Sequence, residues 1–259
     1  MRFKLISCKV FLREMEAAAA RSPHEVDVEF LPQGYHNLPN VEMRSLVQAA
    51  IDAVPETYDA ILLGYGLCNN GLSELVARHT RLVLPRAHDC ITLFLGSKER
   101  YKKYFFDKPG TYFKTSGWIE SAEPGEDLMQ LDVQQRLGME QTLEEYIEQY
   151  GEDNGKFLYE QLGHTAHNYG RYAFIEMGVE PDDRFELRTR EDAEKREWDF
   201  EKIPGDMGLI HDLMNGNWRE DAFLVVEPGQ RIRTTMDDDI VAAEDGGQGA
   251  EVRDQKSED

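Results

Sequence analysis

Three cysteines are all that this chain of 259 residues contains. They cannot all pair with one another, and a protein of this length can bury enough core to need no disulfide staples. Free thiols, metal ligands or a catalytic thiol remain as their roles. Long hydrophobic runs are missing too. No stretch approaches the roughly 20 apolar residues that cross a bilayer, and the opening MRFKLISCKVF reads as a short apolar strand without a signal-peptide cleavage pattern. A cytoplasmic location is expected. Basic residues are scarce: 29 Lys and Arg stand against 50 Asp and Glu, for a net charge of −21. Such a chain repels phosphate backbones and anionic membranes, so nucleic acid and membrane are set aside as partners in favour of small molecules or other proteins. The same acidic surface, with 18 Arg to 11 Lys, also fits a saline host.

What is present is 41% hydrophobic sequence arranged in short apolar runs between helical patterns, the signature of βα units in a mostly parallel sheet. The runs predict strands at Phe3–Ser7, Val26–Leu31, Tyr58–Leu63 and Arg81–Pro85, separated by helices at about Phe11–Ala20, Val41–Val54 and Leu72–His79. The expected fold is α/β and doubly wound, a mostly parallel sheet with helices on both faces. After a further helix beginning near Ile91, Lys108-Pro109-Gly110 precedes a strand at Thr111–Thr115. From Asp127 to Met177 the patterns are helical, so a helical insertion over about 120–200 is expected inside one domain spanning 1–235. Phe223–Val226 closes the domain as a strand, and residues 236–259, acidic and poor in aromatics, are expected to be a disordered tail.

Open α/β sheets bind ligands beyond the carboxyl ends of their strands. Each cysteine falls at such a place. Cys8 follows the first strand, Cys68 lies in Gly64-Tyr65-Gly66-Leu67-Cys68-Asn69-Asn70-Gly71 after the third, and Cys90 ends Arg86-Ala87-His88-Asp89-Cys90 after the fourth. In the common winding the first, third and fourth strands are neighbours, which brings the three thiols together as a metal or reactive-thiol site. Buried packing is the plain alternative for any one cysteine. Three at strand ends, two of them in polar loops, favour function, and helix N-termini there are expected to lower thiol pKa values. Three thiolates leave a fourth position open, which suits zinc or an iron–sulfur cluster and leaves the choice between them open.

Around this centre, His88 is a candidate ligand, proton donor or buttress of the ligands. His36, in the loop after the second strand, faces the same rim or simply packs there. Tyr65, His36, His88 and Lys114 are the candidate catalytic groups. Gly66, Asn69, Asn70, Gly71, Thr111 and Tyr112 are candidates for holding a cofactor, although the glycine spacing of 64, 66 and 71 does not match a dinucleotide fingerprint. The segment Pro109–Trp118 either lines a pocket or is an ordinary edge strand with a turn. On a single predicted helix, His164, His167 and Arg171 share a face, more often a polar helix surface than a metal site.

With these residues in view the chain resembles the bacterial and archaeal family catalogued as domain of unknown function 1638. The resemblance rests on Cys8, His36-Asn37-Leu38-Pro39, Tyr65-Gly66-Leu67-Cys68-Asn69-Asn70-Gly71, His88-Asp89-Cys90, Pro109-Gly110-Thr111-Tyr112 and Val225-Val226-Glu227-Pro228-Gly229, in that order. Two positions depart from the family pattern: Asn69 stands for a glycine, and Asp89 separates His88 from Cys90. The resemblance implies a place in anaerobic methyl or one-carbon metabolism, since members are encoded near corrinoid-dependent methyltransferases. Two functions follow as expectations. One is a metal-thiolate lyase or transferase acting on a small substrate. The other is a non-catalytic protein that delivers a metal, cluster or corrinoid to a methyltransferase partner.

Overall fold

A computed structural model describes residues 1–68, 70–121, 169–235 and 237–246. Its centre is a five-stranded sheet. The strands are β1 (Arg2–Cys8), β2 (Glu25–Leu31), β3 (Ala60–Gly64), β4 (Leu82–Pro85) and β8 (Phe223–Val226), in the order β2-β1-β3-β4-β8. The first four run parallel, and β8 pairs antiparallel with β4, Leu82 opposite Val226 and Pro85 opposite Phe223.

Composition explains the positions. β3 (AILLG) and β4 (LVLP) are buried at every residue, as interior strands of a parallel sheet require. β2 alternates Val and Phe with acids and lies at the edge, where Glu29 pairs with Lys4 of β1 at 2.8 Å and Asp27 pairs with Arg2 at 2.7 Å. Because β2 and β3 lie on opposite sides of β1, the chain reverses its direction of winding there. The carboxyl ends of β1 and β3 therefore flank a topological switch point.

Helices α1 (Leu12–Ala19) and α2 (Asn40–Asp52) follow β1 and β2. After β4 come α3 (Cys90–Leu95) and α4 (Lys98–Asp107), capped by the side chains of Asp89 and Ser97. A second sheet is parallel, in the order β5-β6-β7: Thr111–Lys114, Arg171–Glu176 and Asp199–Pro204. Helix α5 (Ser116–Ser121) follows β5, α6 (Arg184–Lys195) joins β6 to β7, and α7 (Gly208–Asn215) leads toward β8. One continuous hydrophobic core takes in the central sheet together with Ala173, Ile175 and Ile203 of the second and Met177 just beyond β6.

A glycine fastens the two sheets together. A Cβ at Gly117 would lie 1.7 Å from the Val10 carbonyl oxygen, so α5 rests directly on the helical turn Lys9–Phe11 that continues β1.

Three expectations are corrected. Leu72–His79 is not a helix: its backbone is recruited by the hairpin of β9 (Gln230–Thr234) and β10 (Val241–Asp245), with Glu74 N–H donating to Ile232 O and Ala77 N–H to Gln230 O. Tyr169, Arg171 and Tyr172 are not helical, because Tyr172 to Ile175 form an unbroken buried run that pairs on both sides as β6. His164 and His167 lie outside the described residues, as does most of the expected helical insertion; the described part from 169 to 200 holds two strands around one helix. The expected disordered tail is corrected over residues 237–246, where Ile240 and Val241 are buried and β10 pairs with β9, helped by an Arg231–Glu244 ion pair at 2.9 Å, and the rest of that tail lies outside the described residues.

Candidate functional site

The carboxyl ends of β1, β3 and β4 carry Cys8, Cys68 and Cys90. None is in a disulfide. Cys8 ends β1, fully in register with β2. Beyond β3 the chain stays paired with the strand-4 loop: Leu67 N–H donates to Ala87 O at 2.7 Å and Cys68 N–H to His88 O at 3.0 Å. This ladder sets Cys68 beside the turn that presents Cys90. Gly66 is required for it, because a Cβ there would meet the Asp89 backbone at 2.6 to 2.8 Å. Cys68 itself adopts φ 49° and Asn70 φ 65°, a left-handed backbone that non-glycine residues enter at a cost and that concentrates at functional sites. Gly71 closes the turn with its N–H on the Cys68 carbonyl at 3.0 Å, its Cα face against Met43.

The thiols form one electrostatic group. Burial is the main reason that all three are held as neutral thiols, with Cys8 pushed up to about 12 and Cys68 and Cys90 raised as well. Cys68 keeps some surface, yet its sulfur is enclosed by protein. Cys68 is raised further by Cys90, Cys8 and Asp89, and Cys90 by Asp89 and Cys8. The expected lowering of a thiol at a helix start does not occur at Cys90. Asp89 caps that start, its Oδ1 accepting from Ile91 N–H at 3.0 Å and Thr92 N–H at 3.4 Å, and burial and its carboxylate oppose a thiolate next door.

Aromatic and imidazole groups enclose the thiols. His36 Nε2 stands 3.3 Å from Cys8 Sγ, and burial lowers this imidazole to about 4, so it is neutral. Its ring lies 6.2 Å from Tyr65 and 6.3 Å from Trp118. The Tyr65 hydroxyl is buried and has no hydrogen-bond partner among the described residues, and the phenol is raised by burial and then by Cys8 and Cys68. Trp118 lies near Cys90 and opposes part of the rise of its thiol. It is brought there because Gly117 lets α5 sit on the turn after β1.

The structure thus gathers Cys8, Cys68, Cys90, His36, Tyr65, Gly66 and Gly71. It does not gather the others. His88 is exposed and lines a neighbouring cleft. Lys114 is buried in the second sheet, its amine 2.8 Å from Asp192 and 4.4 Å above the Tyr172 ring. Thr111 bonds the Lys108 carbonyl and Tyr112 packs on Tyr169 and Tyr172, all on that sheet. Asn70 is exposed, and Asn69 lies outside the described residues. Trp118 and Asp89 were not singled out from sequence. A Gly-Trp pair directly after a strand was the available signal for the first, and an Asp immediately before a helix for the second.

Among the described residues, no group of three or more His, Cys, Asp or Glu side chains is arranged so that it could hold a metal ion. No described helix is long and apolar enough to cross a membrane.

The profile of the family described as "Protein of unknown function (DUF1638)" matches residues 30–214, more than half of the chain. The chain belongs to this family. The family span takes in His36, Cys68 and Cys90, and Cys8 lies before it. No curated protein and no solved structure matches the chain significantly.

Proposed function

We propose that the three thiols bind a soft metal centre, zinc or an iron–sulfur cluster, that serves a reaction on a small substrate. One observation carries the reading: three buried thiols, Cys68 and Cys90 raised further by Cys8, stand with a neutral imidazole at the switch point of a parallel sheet, and among the described residues no cationic side chain is a leading influence that would stabilise a thiolate. A catalytic thiol needs a lowered pKa, supplied by a nearby cation, an imidazolium or an open helix start. These thiols are raised, and His36 is too acidic as an imidazolium to pair with them. A thiophilic cation supplies the missing positive charge, displaces the thiol protons and repays the burial.

His36 and the unpartnered Tyr65 hydroxyl are the groups placed to hold or give a proton beside such a centre. The metal supplies Lewis acidity or an open iron. Loading requires the thiols to lose their protons and close on the ion. The depth of Cys8 and Cys90, 1% and 8% exposed, favours chemistry on a small molecule over handing a metal to a partner protein. The doubly wound layering, helices on both faces of the central sheet, belongs to the same reading and is supported by the parallel order β2-β1-β3-β4.

The test is elemental analysis and an absorption spectrum of protein purified without oxygen. Zinc, or iron with sulfide, near one centre per chain is the expected result. Protein free of both overturns the proposal.

A further inference from the structure

Beside the thiols a cleft of about 620 Å³ opens between α4 and the turn joining β9 to β10. Its walls include Asp89, Tyr101, Lys102, Phe105, Phe106 and Ile240. The volume falls in the roughly 300–1,000 Å³ range of small-molecule sites.

Two features of its walls are unusual for this chain. First, Phe105 and Phe106 are 57% and 71% exposed, edge to face at 6.2 Å, with Tyr101 against Phe105 at 6.5 Å. Phe105 and Phe106, with Tyr101 packed behind them, thus present uncovered apolar surface to a concave site. Second, α4 keeps cations that no acid neutralises. Among the described residues Lys4, Lys108, Lys114, Lys195 and Lys202 each face a carboxylate within ion-pair distance. Lys9, Lys98, Lys102 and Lys103 do not, three of the four being on α4, although the chain carries 50 acids. Lys98 is already committed, donating to the Asp238 carbonyl at 2.7 Å and so tying the hairpin turn to α4. Lys102, one helical turn on, is the other lysine that lines the cleft and is left for a ligand. Glu99 and Asp238 also reach the lining, so an anion belongs at Lys102 and not at the Lys98 end.

The cleft abuts the loop that carries Cys90. Asp89 forms part of its wall, with Oδ2 accepting from Tyr101 O–H at 2.9 Å and Oδ1 capping α3. Three donors hold this carboxylate in place, and Lys102 is the lining cation that faces a ligand's charge. The residue after Asp89 is the thiol itself.

We infer that this cleft binds a small carboxylate with an apolar body, its anion at Lys102 and its body over Phe105 and Phe106. That such a molecule is the substrate of the thiol centre rests on the metal reading above; the binding does not.

The experiment titrates the full chain with phenylacetate by calorimetry and uses neutral phenylacetamide as its isostere. Saturable phenylacetate binding is expected, weakened about tenfold or more by amide replacement, by Lys102→Ala and by Phe106→Ala. Both side chains are at the surface, and circular dichroism checks that the variants fold. Cys68→Ala, with metal content measured on the same sample, is expected to keep phenylacetate affinity. Absence of saturable binding to wild-type protein, or equal binding of acid and amide, or unchanged binding in both cleft variants, overturns the inference and leaves the metal reading standing. Retained binding in a wild-type protein free of zinc and iron supports the cleft and sinks the metal reading instead.

Discussion

His36 Nε2 and Cys8 Sγ stand 3.3 Å apart as a neutral pair, an imidazole held near 4 beside a thiol held near 12. The same two residue types at the same distance make an ion pair in thiol enzymes, where the imidazolium stabilises the thiolate. Here burial raises one pKa and lowers the other, so transferring the proton from sulfur to nitrogen is uphill.

A reactivity prediction follows from that ordering. At pH 7.5 the thiolate fraction of Cys8 in the folded protein is on the order of 10⁻⁴ or below. Iodoacetamide is expected to modify native, metal-stripped protein far more slowly than urea-unfolded protein, and His36→Ala is expected not to slow it further. Peptide mapping that finds Cys8 alkylated rapidly in the native state, with the rate lost in His36→Ala, would show an activated thiol and contradict the neutral pair.

A second prediction concerns Glu14 on α1, which is fully buried, with neither carboxylate oxygen hydrogen-bonded to any described residue. Burial raises it to about 7 from its usual 4.5; Glu180 and Glu120 raise it further, and only the backbone and Arg13 oppose them. A raised carboxyl favours the folded state while protonated. That contribution is complete below about 4.5 and is lost as pH rises through about 7. Glu14→Gln removes the ionisation cost. Urea unfolding is expected to show the variant more stable than wild type by on the order of 2 kcal/mol at pH 8, with little difference at pH 5. An equal difference at both pH values would mean that Glu14 does not titrate in this window.

These two residues also show what was readable in the sequence and what was not. The apolar runs of β1, β3 and β4 announce interior parallel strands, and the strand-end rule then places Cys8, Cys68 and Cys90 without further information. His36 and Tyr65 follow, because each lies within a few residues of such a strand end. Lys114 and His88 look equally placed along the chain but are sent elsewhere by contacts distant in sequence, Lys114 to Asp192 and His88 to the cleft. Glu14 carries no local sign of burial, since an acid in a first helical turn ordinarily faces solvent. Leu72–His79 misleads for a similar reason. Its Leu72 and Leu75 have helical spacing, but Glu74, Leu75 and Ala77 find backbone partners more than 150 residues later, in β9.

A third prediction tests the contact that brings Trp118 to Cys90. Gly117→Ala places a methyl 1.7 Å from the Val10 oxygen, a backbone atom that cannot move without disturbing the turn after β1. The variant is expected to lose about 2–4 kcal/mol of stability or to shift α5 outward. Trp118 fluorescence should report the second outcome as a red shift. A variant as stable as wild type with an unchanged emission maximum would show that α5 is not seated on Val10.

The last prediction separates strain from ligation at Cys68. Its φ of 49° is unfavourable for any residue with a Cβ, by about 1–2 kcal/mol relative to glycine. Cys68→Ala and Cys68→Gly both remove the sulfur, and the glycine variant also removes the strain. Metal-free Cys68→Gly is therefore expected to be more stable than metal-free Cys68→Ala by about 1 kcal/mol, read as a higher urea midpoint. If the strain serves to aim the thiol, neither variant should hold zinc or iron after anaerobic purification, since two remaining thiols do not retain either centre well. Asn70→Gly supplies the control. It relieves a neighbouring left-handed residue without touching a thiol, and should gain stability while keeping its metal. Metal retained in both Cys68 variants would remove Cys68 from the centre, and metal lost in Asn70→Gly would show that backbone rigidity, more than the Cys68 sulfur, governs binding.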